Sequence, residues 1–222
     1  MEITNEQVTY IDNLLEENGI KYWDVRIELL DHVVSELENT PDNIDFKTAL
    51  WDVFKKLGWK ENFNGSSFED VIKQYHNSTS KKIRRNFSGF RKKTLSNPLV
   101  IGAFFFVLFL LYEIAHYKSI LKYSMILIMV AYLIPLGYFL SRKAYYKSLQ
   151  LSHVGSLAFF GLSILNVFIH IPKVFFDFNV FDYPVVVALI FSSTLFYSYI
   201  GFKFFFKEFT KTNNIYKKLK TL

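Results

Sequence analysis

The sequence predicts an all-α fold: a small cytoplasmic helical domain followed by a four-helix transmembrane bundle. Three observations carry that expectation. Residues 98–206 hold four hydrophobic stretches of about twenty residues each, the length that crosses the ~30 Å hydrocarbon core of a bilayer as a helix. Residues 1–80 are a different material, with sixteen acids against seven Lys and Arg, a net charge of −9. Residues 81–222 carry +15, so a domain boundary falls where the sign changes.

In the acidic front domain (1–80), Thr4-Asn5-Glu6-Gln7 fits a capping box, with Ile3 and Val8 placed as a hydrophobic staple. Val8, Ile11, Leu14 and Leu15 give the first helix one apolar face, and Asn18-Gly19 ends it. The second helix is expected from about Tyr22 to Glu38. Trp23, Ile27, Leu30, Val34 and Leu37 alternate by four and three, an apolar seam at helical spacing, and Thr40-Pro41 stops it. A third helix starts at Asp45, turns Phe46, Leu50, Val53, Phe54 and Leu57 inward, and ends at Gly58. Ser66-Ser67-Phe68-Glu69 fits another capping box. The helix it opens is expected to run into a basic juxtamembrane collar (81–97), with a break near Gly89.

The first span is expected over 98–117, opened by Asn97 as N-cap and Pro98 at the first helical position. The second covers 120–140, with Pro135 and Gly137 near its end. The third covers 151–171 and is stopped by Pro172. The fourth covers 184–206, with Lys203 in its last turn, and a basic tail (207–222) follows. A lipid-exposed span must satisfy its own backbone polar groups, which makes helices the expected form.

Orientation follows from Lys and Arg near the span ends. The collar carries Lys81, Lys82, Arg84, Arg85, Arg91, Lys92 and Lys93. The loop between spans two and three carries Arg142, Lys143 and Lys147, and the tail carries five more lysines. The outer loops hold only Lys118, Lys122 and Lys173. Both termini are therefore expected in the cytoplasm, and the protein in the cell inner (cytoplasmic) membrane as a multi-pass chain. The first twenty residues carry five acids, so no basic cleavable leader is expected. Cysteine is absent, which excludes disulfides, thiolate chemistry and Cys-based metal sites.

No catalytic or nucleotide-binding motif is present, so an enzyme is not expected and no cofactor is implied. The metal candidates are Glu113 and His116, three apart near the outer end of span one, with His170 at the outer end of span three. Hydrated or Lys-paired groups at the interface are the simpler reading of the same residues. On the second helix Glu28, Asp31, His32 and Glu36 form a polar face opposite the seam, a solvated face or the place where a basic partner docks. The collar's basic residues read as contacts to lipid headgroups. Nucleic acid is not an expected partner, because no dedicated module is seen. Gly155, Ser156, Ala158 and Gly161 along span three permit close helix packing, and Asn166 is expected to bond a neighbouring helix.

The succession of a short helix, then RIELLDHVVSELE (26–38), then FKTALWDVFKKLG (46–58), resembles the HAAS-type domain. That module stands at the front of bacterial, Bacteroidetes-like multi-span membrane proteins. Glu28, Asp31, His32 and Glu36 match the family's acidic second helix, and Leu57-Gly58 its Leu-Gly ending. Where the family usually has Asp-Pro, this chain has Trp59-Lys60-Glu61-Asn62. The resemblance implies a signalling role beside small cytoplasmic regulators.

The expected function is that of a non-enzymatic integral membrane protein for signalling or regulation, whose head holds a cytoplasmic protein partner or self-associates. The alternative is an oligomeric channel or pore-forming effector, defence-related in biology, with Ser192, Ser193, Thr194 and Ser198 of span four lining an opening.

Overall fold

The computed structural model describes residues 1–59, 68–142, 145 and 147–219. Among these it is all-α, with eight helices: α1 (Asn5–Glu17), α2 (Trp23–Glu38), α3 (Phe46–Lys56), α4 (Glu69–Leu95), α5 (Pro98–Ala115), α6 (Lys118–Leu140), α7 (Leu149–Phe176) and α8 (Pro184–Leu219). Helices α5 to α8 are each long and apolar enough to cross a membrane. The chain divides into two compact units. One is Met1–Lys81 together with Lys147–Gln150; the other is Lys82–Tyr146 with Leu151–Leu222.

In the first unit, α1 opens on the expected capping box. The Thr4 hydroxyl accepts from the Gln7 N–H, and the Gln7 side chain accepts from the Thr4 N–H. Gly19 (φ +95°) and Gly58 (φ +74°) take the left-handed positions that end α1 and α3. The Asp45 carboxylate caps α3. The core gathers Ile11 and Leu15 of α1, Leu50, Val53 and Phe54 of α3, and Phe68. The face of α2 that joins this core keeps Trp23 and Leu37 of the expected seam, but Val25, Leu29 and Val33 are the buried aliphatics between them, while Ile27, Leu30 and Val34 are half-buried. Helix α2 is apolar along two adjacent ridges, and Arg26, itself buried, pairs with Asp12 and Glu16 of α1. Leu149 adds its side chain to this core, although it lies far along the chain.

Helix α4 runs unbroken through Gly89, where a break was expected. A single glycine costs only about 1 kcal/mol in a helix, and the buried stripe of Ile83, Phe87 and Thr94 holds this stretch. The proposed cap residues Ser66 and Ser67 lie outside the described residues.

In the second unit two buried clusters form. Phe139, Tyr145, Ala158, Ile200, Phe204 and Phe205 make one; Leu111, Ala115, Leu121, Leu165, Val187 and Phe191 make the other. Phe204 packs against Phe87 and Phe90 of α4, with ring centroids 5.4 Å away in each case. Helix α5 begins as expected, with the Asn97 side chain accepting from the Leu99 N–H and Pro98 at the first position. Phe105, Phe106 and Phe109 on α5 stand exposed, as lipid-facing side chains do.

Two helices run on past the expected ends of their spans. Helix α7 does not stop at Pro172; it continues to Phe176, where Asp177 (φ +50°) turns the chain and the Phe178 N–H donates to the Pro172 carbonyl at 3.1 Å. A proline inside a membrane helix is tolerated when neighbours and local adjustments satisfy the freed carbonyl. Helix α8 does not end at 206 but spans 36 residues to Leu219. At 1.5 Å per residue it is about 54 Å long, well beyond the ~30 Å of a hydrocarbon core, and it carries the basic tail as far as Leu219.

Candidate functional site

The richest polar constellation lies in the first unit, around Asp24 in the opening turn of α2. Its carboxylate accepts four hydrogen bonds. The donors are the backbone N–H groups of Leu149 (2.9 Å), Gln150 (2.8 Å) and Val25 (3.1 Å), and the Ser148 hydroxyl (2.8 Å). Leu149 and Gln150 open α7, so Asp24 supplies an N-terminal cap to that helix from a segment more than a hundred residues away. A carboxylate suits this place, because the first N–H groups of a helix lack internal partners and carry the positive end of the helix dipole. The Trp23 N–H also donates to the Lys147 carbonyl at 2.9 Å.

Arg26, two residues further along α2 and only 8% exposed, organises the rest. Its Nε donates to Asp12 Oδ1 (2.9 Å), and its Nη1 donates to the Ile20 carbonyl (3.1 Å) and pairs with Glu16 Oε1 (3.2 Å). Burying a guanidinium is tolerable only with its donors matched in this way. Glu16 Oε1 also meets the Lys147 amine at 3.5 Å. Residues 147–150 are thus held by a backbone bond, a capping carboxylate, an ion pair and the buried Leu149.

The expected partner face on α2 divides. Glu28, Asp31 and His32 are exposed, whereas Glu36 is drawn into an ion pair with Lys56 of α3. Burial raises the Tyr75 phenol above its ordinary value, and the Glu28 carboxylate adds to the rise. Lys81, Lys82, Arg84, Arg85, Arg91, Lys92 and Lys93 are all exposed along α4, clear of its buried stripe.

The metal candidates do not gather. Glu113, His116 and His170 are exposed, and among the described residues no group of three metal-binding side chains forms. His116 instead bonds the Tyr112 carbonyl through Nδ1 at 2.9 Å. The amines of Lys118 and Lys122, and the residues Lys143 and Lys220, lie outside the described parts. In α8, Ser192, Thr194 and Ser198 are buried and Ser193 is exposed. The Ser192 and Ser198 hydroxyls donate back to carbonyls of their own helix. Asn166, expected to reach a neighbour, bonds the Leu162 carbonyl of its own helix at 3.3 Å. The small residues of α7 behave as expected at two positions: Ala158 and Gly161 approach α8 closely, at Gly201 and Ser198. Gly155 faces the Tyr145 hydroxyl instead, and Ser156 is exposed.

Sequence reasoning missed Asp24 and Arg26. Asp24 takes its role from residues more than a hundred positions away, and Arg26 from partners across the α1–α2 turn, so neither shows in the pattern of one helix. The one signal available was Ser148, a good N-cap residue just before the third span. Comparison with family models, with curated proteins and with solved structures returns no match.

Proposed function

We propose that this chain is a non-enzymatic, multi-pass protein of the inner membrane that signals or regulates, with both termini cytoplasmic and the first unit as its partner-binding module. One observation carries the reading: the polar side chains of that unit are divided in use. Asp12, Glu16, Asp24 and Glu36 are committed to internal bonds, whereas Glu28, Asp31 and His32 stand exposed on successive turns of α2. Such a face suits a basic protein surface. The resemblance of 26–58 to the HAAS-type domain supports the same role. Helix α2 also carries Asp24, so a partner seated on its exposed face has a direct mechanical route to the first residues of the third span.

The test is capture from gently solubilised membranes. The wild-type chain should bring a cytoplasmic protein with it, and the double variant E28K/D31K should lose it by roughly tenfold or more, since like charges facing one another cost several kcal/mol. Recovery of the wild-type chain alone, with candidate regulators present, would remove the reading.

Topology is tested separately. A cysteine at Asn179, between α7 and α8, should react with a membrane-impermeant maleimide in intact cells, and one at Asn214 in the helical tail should not. The basis is the excess of Lys and Arg in the collar, the 141–150 segment and the tail. The opposite labelling pattern would invert the protein.

A further inference from the structure

Within the second unit, α5 and α8 pack against one another but part along a groove of about 350 Å³. Leu99, Ala103 and Val107 of α5 line one wall, and Leu195 and Tyr199 of α8 the other. Ser192 and Tyr199 are the polar residues of the lining; the Ser192 hydroxyl donates to the Leu189 carbonyl at 3.2 Å, and the Tyr199 hydroxyl accepts from Lys203. The lining therefore asks for no polar group. Leu99 to Val107 is about 12 Å of helix, most of the ~15 Å hydrocarbon depth of one leaflet.

The other end is cationic. The Lys203 amine lies 3.4 Å from the Tyr199 hydroxyl and 5.6 Å from the centre of its ring, at the rim of the groove. Lys207 and Lys211 follow at intervals of four residues, and all three lysines are exposed. The Lys207 amine stands 5.8 Å over the Phe90 ring, beside the exposed Arg91, Lys92 and Lys93 of α4. An apolar slot thus runs into a column of ammonium groups along one helix face.

We propose that this groove is a binding site for an anionic phospholipid of the leaflet nearer the basic collar, with one acyl chain between α5 and α8 and its phosphate at Lys203. The charge distribution selects this occupant. A zwitterionic lipid fills the slot equally well but gains less from the lysines, and a second copy of the chain would bring its own cations to the same rim. The inference requires that the chain crosses a membrane, but it is independent of any protein partner on α2.

The experiment uses the full chain in nanodiscs of mixed phosphatidylglycerol and phosphatidylcholine, followed by native mass spectrometry of the released protein. The wild type should retain one phosphatidylglycerol in preference to phosphatidylcholine. Lys203→Gln, which removes an exposed charge and its contact with Tyr199 but no buried side chain, should reduce that preference about fivefold, as expected for one lysine near an anionic surface. Ala103→Trp should displace the retained lipid of either kind. Equal retention of the two lipids by the wild type would overturn the proposal. So would an unchanged preference in Lys203→Gln, or a wild-type dimer dispersed by Ala103→Trp. Should Ala103→Trp fail to fold, the lysine variant alone decides.

Discussion

Gly201→Leu should destabilise the membrane unit by about 3 kcal/mol, at the upper end of what overpacking usually costs. A Cβ at Gly201 would lie 2.9 Å from the Ala158 Cα, 3.3 Å from the Leu157 carbonyl oxygen and 3.5 Å from the Ala158 carbonyl oxygen. All three are backbone atoms of α7, so no side chain can rotate away; the helices must separate. Separation would also strain the neighbouring layer, where Gly161 faces the Ser198 hydroxyl, and the Phe204 and Phe205 layer one turn below. Close approach through small residues is what holds helices together in lipid, where no hydrophobic force acts between them. Gly201→Ala should cost less than Gly201→Leu but remain harmful. Gly89→Ala provides the opposite sign: Gly89 is helical, exposed and open around its Cβ position, so alanine should stabilise by up to about 1 kcal/mol. Thermal unfolding in one detergent, for the three variants and the wild type, checks this. A Gly201→Leu midpoint equal to that of the wild type would mean that α7 and α8 are not in contact there.

The parts of this protein legible in its sequence are those written in local patterns. Thr4 with Gln7, Asp45, and Asn97 with Pro98 mark helix starts by side-chain chemistry within three residues, and each caps as expected. Gly19 and Gly58 mark helix ends for an equally local reason. Span ends were less legible, because Pro172 reads as a stop by the rules of water, whereas α7 carries it within an apolar helix. The buried face of α2 failed for a different reason. Its apolar residues support two ridges that spacing alone does not separate, and Arg26 pairs with Asp12 and Glu16 of α1 and bonds the Ile20 carbonyl. Asn166, expected to bond a neighbouring helix, donates instead to the Leu162 carbonyl one turn back in its own helix. On the candidate partner face, the exposure of Glu28, Asp31 and His32 agrees with the periodicity. The loss of Glu36 to Lys56 depends on how α3 crosses α2, which no spacing reveals.

Asp24→Ala should loosen residues 147–150 from α2. The substitution leaves the Leu149 and Gln150 N–H groups and the Ser148 hydroxyl without the carboxylate that now accepts from all three, at 2.8 to 2.9 Å. Losing an N-cap costs typically about 1 kcal/mol, and hydrogen bonds to a charged acceptor are each worth about 1.5–3 kcal/mol before compensation by water. A net cost of about 2–3 kcal/mol follows, because water can reach part of the site once it opens. That figure corresponds to roughly thirtyfold to more than a hundredfold in the population of the open form. Two measurements report it. Hydrogen exchange at Leu149 and Gln150 should accelerate by that factor, and trypsin should cleave after Lys147, already exposed, in proportion to the open population. Asp24→Asn should fall between wild type and alanine, since the amide oxygen still accepts but the charge at the helix start is gone. Glu16→Gln, which weakens the ion pairs with Lys147 and Arg26 but leaves the Asp24 carboxylate in place, should have the smaller effect on these amides. If Leu149 and Gln150 exchange at the wild-type rate in Asp24→Ala, the carboxylate is not what holds them, and the mechanical route from α2 to the third span is lost with it.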